Sequence, residues 1–561
     1  MKGRSFAVRG PWWSMLPVAL VALAADCGGS GGGGTPSPTP TATAQASTNV
    51  TITIDPTRTK AISPYIYGIN SYSAGSDPAH LTMDRMGGNR WTAYNWENNY
   101  SNAGSDYLYE SDDYLDSSTV PADAVTKTIQ SDQSAGMASM ITVQLQGLVS
   151  ADGNGPVSTA NAPDLSRFKT VVDAKGSAFT TTPSTADAYV YMDEFLWNVN
   201  QKFPGVFGAG PAVPTFVSLD NEPELWNSTH LEVQGPHAVT SDAYIAKTIK
   251  LTKALKDQFP NVVIFGPVHY GFQGIYNWQG ELNATPTGSD WFPDKYLTAL
   301  RTASATYGRP LLDVYDFHWY PEEYDANGTR ILDMSGTTLT DAQVQLIVQS
   351  PRNLWDPTFD DGAHNGNPWV YDELGHSPID ILGRLQSKID AEFPGVKLSI
   401  TEYECGGWNH IAGTIAQADT LGVFGSQGLF AANFWPPSGT HAYALAGFRA
   451  FRGFDGANAS FGDTSLQATS SNVANVVVYA SSDSTTAGRF VFVAINRSTA
   501  STVTAITGQA LSGTAHLYQM SAASAQGQSP VRPVSIGTMA VSGSSLTITL
   551  PALSVTTIEV R

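Results

Sequence analysis

Between residues 65 and 450 the chain alternates short, almost uninterrupted apolar runs with longer stretches whose apolar positions recur every three or four residues. Eight runs stand out, at 65–70, 86–96, 137–145, 214–220, 262–267, 312–318, 396–402 and 429–435. A run apolar at nearly every position suits a strand buried on both faces, as in a parallel sheet. The stretches between them read as amphipathic helices. In 188–203, Met192, Phe195, Leu196, Val199 and Phe203 fall on one face, and 382–393 repeats the pattern. Strands alternating with helices in this way predict an α/β fold, a (β/α)8 TIM-like barrel over 65–450. Beyond 450 the helical period disappears. Runs at 473–479, 489–495, 502–506, 514–519, 544–550 and 554–560 are short, β-branched and separated by Ser/Gly turns, which predicts an additional all-β sandwich domain over 451–561. Residues 49–55 alternate like a strand, and the segment 49–64 is expected to join that sandwich.

The N-terminus follows a different logic. Lys2, Arg4 and Arg9 precede an apolar run at 15–25. That run falls short of the roughly 20 residues a membrane span needs, so 1–27 reads as an export signal. Asp26-Cys27-Gly28-Gly29 is similar to a bacterial lipoprotein junction, although an acid just before the cysteine departs from that pattern. A lipid on Cys27 would be the chain's one route to a membrane. Residues 28–48, rich first in Gly and then in Thr, Ser and Pro, form a linker. The expected location is extracellular or cell-surface, and the expected state a monomer.

Composition narrows the class of partner. Thirty Lys and Arg against 49 Asp and Glu leave a net charge of −19, which repels nucleic acid and anionic membrane surfaces. Two cysteines, Cys27 and Cys405, exclude a disulfide framework or a cysteine zinc site. Thirteen Trp and 23 Tyr fill a core, and they also supply flat faces of the kind on which sugar rings stack.

On a barrel, chemistry sits where the strands end. The fourth run closes in Asp220-Asn221-Glu222-Pro223-Glu224-Leu225-Trp226 and the seventh in Thr401-Glu402-Tyr403-Glu404, so two carboxylates emerge from buried strands 402 − 222 = 180 residues apart. Two carboxyls facing each other across a barrel mouth are what glycosidic cleavage needs: one protonates the leaving oxygen, the other attacks the anomeric carbon or activates water. The Asn-Glu-Pro on strand four with a Glu on strand seven resembles the retaining barrel glycosidases. Longer strings are more specific: Gly87-Gly-Asn-Arg90-Trp-Thr-Ala-Tyr94-Asn95-Trp96-Glu97-Asn98-Asn99, Ser101 to Asp106, Phe265-Gly-Pro-Val-His-Tyr270-Gly, Asn409-His-Ile, Ile415 to Asp419, and Phe461 to Ser465. Together they resemble glycoside hydrolase family 44 over roughly residues 50–561.

That resemblance implies a barrel plus a β-sandwich cutting internal β-1,4 bonds of cellulose-type glucans or xyloglucan with retention. It implies Glu222 as acid/base, Glu402 as nucleophile, and Asn221 on the sugar 2-hydroxyl. In similar barrels an Arg at the end of strand two and a Tyr at the end of strand six hydrogen-bond the nucleophile, which points to Arg90 and Tyr320. His318 shares a side of strand six with Tyr320 and is either a site residue or a satisfied core histidine. Trp96, Trp226, Trp408 and Trp435 lie near strand ends, and at least two of the four are expected to stack glucosyl rings; Tyr270 joins the substrate-binding candidates. Alternation carries Glu404 to the side of Glu402, where it would add negative charge. Cys405 reads as a small buried filler. No cofactor is required. A structural calcium could sit in the acidic loop from Asp106 to Asp116, which includes Glu110, Asp112 and Asp113, although its spacing is not that of an EF-hand. Two other readings stay open at this point: a xylanase or mannanase with the same catalytic pair, and an inactive polysaccharide-binding surface protein.

Overall fold

The computed structural model describes residues 48–72, 80–160, 162–208, 213–278, 281, 291–359, 370, 374–375, 377–436 and 441–561. The export signal, Cys27 and residues 28–47 of the linker lie outside them. Eight parallel strands close into a barrel: Tyr65–Asn70, Met83–Arg85, Ala138–Val143, Thr215–Leu219, Ile264–Tyr270, Val314–Trp319, Lys397–Tyr403 and Ala431–Phe434, each paired with its neighbours in sequence and the eighth with the first. Helices such as Met192–Lys202, Ser241–Gln258, Phe292–Tyr307 and Ile411–Gln427 follow the strands. The floor of the barrel is plugged by aromatic rings. Phe216 packs on Tyr65, Phe265 and Phe430 at centroid distances of 5.0, 5.5 and 5.9 Å. Chemistry is therefore left to the opposite, C-terminal end of the strands.

One barrel strand differs from the expectation. The second is Met83–Arg85, and the residues read as its body, 86–96, form instead a Gly-Gly turn, a single helical turn at Asn89–Thr92 and a loop. Three residues are too few for hydrophobic periodicity to register, and the apolar Met86, Trp91, Tyr94 and Trp96 belong to the cover over the barrel.

The C-terminal sheet has seven strands in the order Thr48–Ala61, Thr464–Ser470, Val476–Ser482, Phe490–Asn496, Ser554–Val560, Thr502–Ser521 and Val534–Leu550. Thr48–Ala61 also runs parallel to Thr502–Ser521, the strand next to the opposite edge. Stretches read as separate strands at 502–506 and 514–519 are one 20-residue strand, bulged between Thr507 and Leu511. Gly508, at φ +93°, is a bulge glycine rather than a turn, and a Cβ there would meet Ile54 O at 2.2 Å.

The helix Ile411–Gln427 joins the two parts. It is buried at every position from Ile411 to Gly425, because the barrel covers one side and the sheet the other. Tyr479 of the sheet seats its ring on Gly422 and donates to Asp419 Oδ1 at 2.5 Å; Arg497 Nε reaches Asp419 Oδ2 at 2.8 Å. Among the described residues, no helix is long and apolar enough to cross a membrane.

Candidate active site

The fourth and seventh strands deliver Glu222 and Glu402 to the barrel mouth, both nearly buried. A carboxylate oxygen of each and a ring nitrogen of His318 all lie within 4.8 Å of one another. The two carboxyls have different surroundings. Glu402 Oε1 accepts from Arg85 Nη1 at 2.7 Å and its Oε2 from Tyr320 Oη at 2.7 Å. Glu222 Oε1 has His318 Nδ1 at 2.8 Å, and that nitrogen stands 3.4 Å from Glu402 Oε2. Burial, with Arg85 beside it, pushes the His318 pKa well below the ordinary histidine value, so its ring is neutral. Burial and the charges of Glu402 and Glu224 hold Glu222 well above the usual carboxylate range. Burial also raises Glu402, but Arg85 and Tyr320 oppose it by stabilising the anion. A site with one proton to hold therefore keeps it on Glu222 and leaves the charge on Glu402.

The backbone around Glu222 is strained and braced. Asp220 and Glu222 are left-handed at φ 65° and 42°, a conformation non-glycine residues adopt only where the surroundings impose it. Asp220 imposes it by accepting Thr92 Oγ1 and the N–H groups of Leu145, Gln146 and Asn221 at 2.6 to 2.8 Å. Glu222 N donates to the carbonyl of Val268, itself at φ 62°. Arg85 links the pair's supports. Its Nη1 also reaches Asn70 Oδ1 and its Nη2 Asn221 Oδ1, each at 3.0 Å, so one guanidinium orients both the residue before Glu222 and the carboxylate of Glu402. Gly87 makes room for it, since a Cβ there would fall 2.2 Å from Arg85 Cζ.

The sequence pattern of glycoside hydrolase family 44 matches residues 100–323. Endoglucanase A of Paenibacillus lautus is 38% identical over 432 residues, 75% of this chain and 60% of that protein. The Beta-mannanase/endoglucanase A of Caldicellulosiruptor saccharolyticus is 36% identical over 451 residues, 78% of this chain and 33% of that protein. The chain thus spans less than two thirds of either curated relative. A xyloglucanase of Paenibacillus polymyxa, a family 44 enzyme solved with xyloglucan, superposes with a TM-score of 0.83 at 33% identity, covering 91% of this chain and 99% of that one. The chain belongs to glycoside hydrolase family 44.

In this family 44 chain several expected site residues take other positions. Arg90 does not reach Glu402. It pairs with Asp112, at 2.5 and 3.0 Å, because it sits beyond the true end of strand two, in the helical turn; Arg85 holds the place expected for it. Trp96 is fully buried, stacked on Phe195 at 5.8 Å with its indole N–H on Tyr191 O, and Trp226 is 1% exposed with its N–H on Asn221 O. Neither offers a face to a sugar. Trp408 and Trp435 are only half-buried. Trp435 follows the eighth strand above Gly88, and Trp408 is fixed through its indole N–H to Glu404. Strand pairing stops at Tyr403, so alternation does not carry on to Glu404, whose carboxyl turns to Trp408 and to Gly406 N at 2.6 Å; burial pushes it up to about 7. Cys405 is buried with Sγ 3.4 Å from Thr420 Oγ1. Tyr270 stacks on Tyr320 at 6.0 Å, beside the pair.

Three of the five acids in the acidic loop already have partners of their own, and the loop gives no support to a calcium ion. Asp112 is taken by Arg90, Asp116 by Lys127, and Asp106 accepts Asn89 Nδ2 at 2.8 Å. The group with metal-ligand spacing among the described residues is the Glu222–His318–Glu402 trio itself.

Proposed function

We propose that this chain is a retaining endo-β-1,4-glucanase acting on cellulose-type glucans, xyloglucan or both, with Glu222 as acid/base and Glu402 as nucleophile. The observation that carries the reading is the closeness of the two carboxyls: an oxygen of one lies within 4.8 Å of an oxygen of the other, and both approach the same His318 nitrogen. Retaining glycosidases hold their carboxyls about 5 to 5.5 Å apart, whereas inverting enzymes leave about 6.5 to 9.5 Å for a water. In the first step Glu402 attacks the anomeric carbon while the Glu222 proton passes to the leaving oxygen, and a glucosyl ester forms on Glu402. Esterification removes the Glu402 charge that helped to hold the Glu222 proton, so Glu222 is left as a base of lower pKa. It then takes a proton from the water that attacks the same carbon, and two inversions give net retention. Arg85 and Tyr320 keep the nucleophile anionic and aimed, Asn221 serves a sugar 2-hydroxyl, and Trp408 and Trp435 are the stacking faces. Two carboxyls supply the whole of this chemistry, so no cofactor takes part.

The endoglucanase and xyloglucanase among the relatives favour glucan and xyloglucan as substrates, the Beta-mannanase/endoglucanase A adds mannan, and initial rates on xyloglucan, linear glucan, mannan and xylan rank them. Residues 1–27 support export, with Cys27 as an anchor. The mechanism is tested by proton NMR of the anomeric region during the first minutes of cello-oligosaccharide cleavage. The β-anomer is expected before mutarotation. The α-anomer appearing first would remove Glu402 as nucleophile.

A further inference from the structure

The double displacement makes no use of the loop between Asn102 and Asp116, yet this loop is rigidly built. Leu108 and Tyr109 are consecutive non-glycine residues at φ 53° and 55°. Asn102 holds them in place: its Nδ2 donates to Tyr109 O at 2.8 Å and Ser111 Oγ at 2.9 Å, and its Oδ1 accepts Gly104 N at 2.8 Å. Gly104 presses so closely on the segment following Glu222 that a Cβ would lie 2.3 Å from Thr229 O. A strained backbone fixed by buried polar side chains marks a functional surface more often than a spacer. What this one displays is apolar. Of the seven large hydrophobic side chains exposed among the described residues, four lie in 107–120, and Tyr114 is the most open at 74%. One face of the Tyr114 ring rests on the Arg90 guanidinium, 4.4 Å away, and Asp112 locks that guanidinium with two hydrogen bonds. The ring is therefore held still with its other face free.

The loop is continuous with the catalytic centre. Asn221 Nδ2 donates to Asn89 Oδ1 at 3.3 Å, and Asn89 Nδ2 donates to Asp106 Oδ1 at 2.8 Å; Arg90 is the next residue. Asp106 is exposed to solvent, and its charge is among those that raise both Glu222 and Glu402. The hydrogen bonds thus lead from the catalytic pair through Asn221 and Asn89 to a carboxylate able to accept hydroxyls, and Arg90, next in the chain to Asn89, carries an aromatic face able to stack against C–H groups. The same acidic rim disfavours polyanions.

We propose that Tyr114, seated on Arg90, is the stacking face of a distal subsite that takes a glucosyl unit of a neutral β-1,4-glucan beyond those gripped at the catalytic pair, with Asp106 as the hydroxyl acceptor between them. The proposal rests on the glucanase reading. It is tested with Tyr114→Ala and Tyr114→Phe in the full chain, by kcat/KM on cello-oligosaccharides of increasing length, with thermal unfolding as a fold control. Loss of one stacking contact corresponds to about a two- to tenfold drop. That drop is expected in Tyr114→Ala for cellohexaose, with the shortest cleaved oligosaccharide unaffected and Tyr114→Phe close to the parent at every length. An equal loss at all lengths, or no loss at any, overturns the subsite while leaving the catalytic assignment standing. A parent chain that cleaves no β-glucan brings down the glucanase reading itself, and the subsite with it.

Discussion

Arg85 is where the site can be tested most sharply, because one guanidinium serves three partners. It donates to Glu402 at 2.7 Å and to Asn70 and Asn221 at 3.0 Å, and none of it is exposed. Replacing it by Met leaves a buried carboxylate without its counter-ion. Breaking such a pair from one side costs about 3 to 5 kcal/mol. The same amount lost from the transition state is, at 1.4 kcal/mol per decade, roughly 10²- to 4 × 10³-fold in kcat/KM. Arg85→Lys keeps the charge, but a single ammonium cannot span Glu402 and Asn221, so the loss should be nearer tenfold. The pH profile carries independent information. Arg85 lowers the pKa of Glu402 and of Glu222 alike. Its removal raises both, so the acid limb, where Glu402 must ionise, and the alkaline limb, where Glu222 must stay protonated, both move to higher pH. Arg90→Lys is the control. Its partners are Asp112 and Tyr114, so on a short substrate it should stay within about threefold of the parent, as expected away from the chemistry. The assignment is refuted if Arg90→Lys costs as much as Arg85→Lys, or if the limbs stay put in Arg85→Met.

Glu222→Gln should slow natural glucans far more than aryl glycosides whose leaving groups need no proton, and an equal loss on both would remove it as the acid. Asp419→Asn leaves the buried Arg497 unpaired between barrel and sheet and should cost about 3 to 5 kcal/mol in denaturant unfolding. Asp419→Leu combined with Arg497→Met should cost less than the single change; a larger loss would show that the pair is more than mutual neutralisation. Asp84 and Asp132 are both fully buried, each with one oxygen lacking a partner. Burial pushes Asp84 up to about 7; burial and the Asp84 charge push Asp132 up to about 8. The folded state thus keeps protons that the unfolded chain releases above about pH 4, so this pair subtracts stability progressively between pH 4 and 8 and by a constant amount beyond. Asp132→Asn should therefore gain about 1 to 3 kcal/mol at pH 8 and almost nothing at pH 4.5 in urea unfolding. A loss at both pH values would contradict a shared buried charge.

The barrel and its two facing carboxyls were legible because they depend on long-range order that strand ends express locally. A parallel strand buried on both faces writes itself as a continuous apolar run, and the polar residues about its C-terminal end stand at the mouth; Glu222 and Glu402 obey that rule. Arg85 obeys it as well, but its strand is three residues long, so the eye passes to the richer string around Arg90. The signal was Gly87-Gly88: a glycine two places after an arginine, where only the lack of a Cβ lets the guanidinium pass. The tryptophans were illegible for a different reason. Nearness to a strand end fixes where a side chain starts, not which way it points, and Trp96 and Trp226 turn inward because the loops carrying them fold over the barrel as its roof. In the sheet, Gly508 looks like a turn and is a bulge, since one sequence cannot tell a glycine that reverses the chain from one that lets a neighbouring strand approach. Residues held by their own strand are thus readable one at a time. Residues held by another element, as Trp408 is by Glu404 and Tyr114 by Arg90, become readable only when both partners are placed.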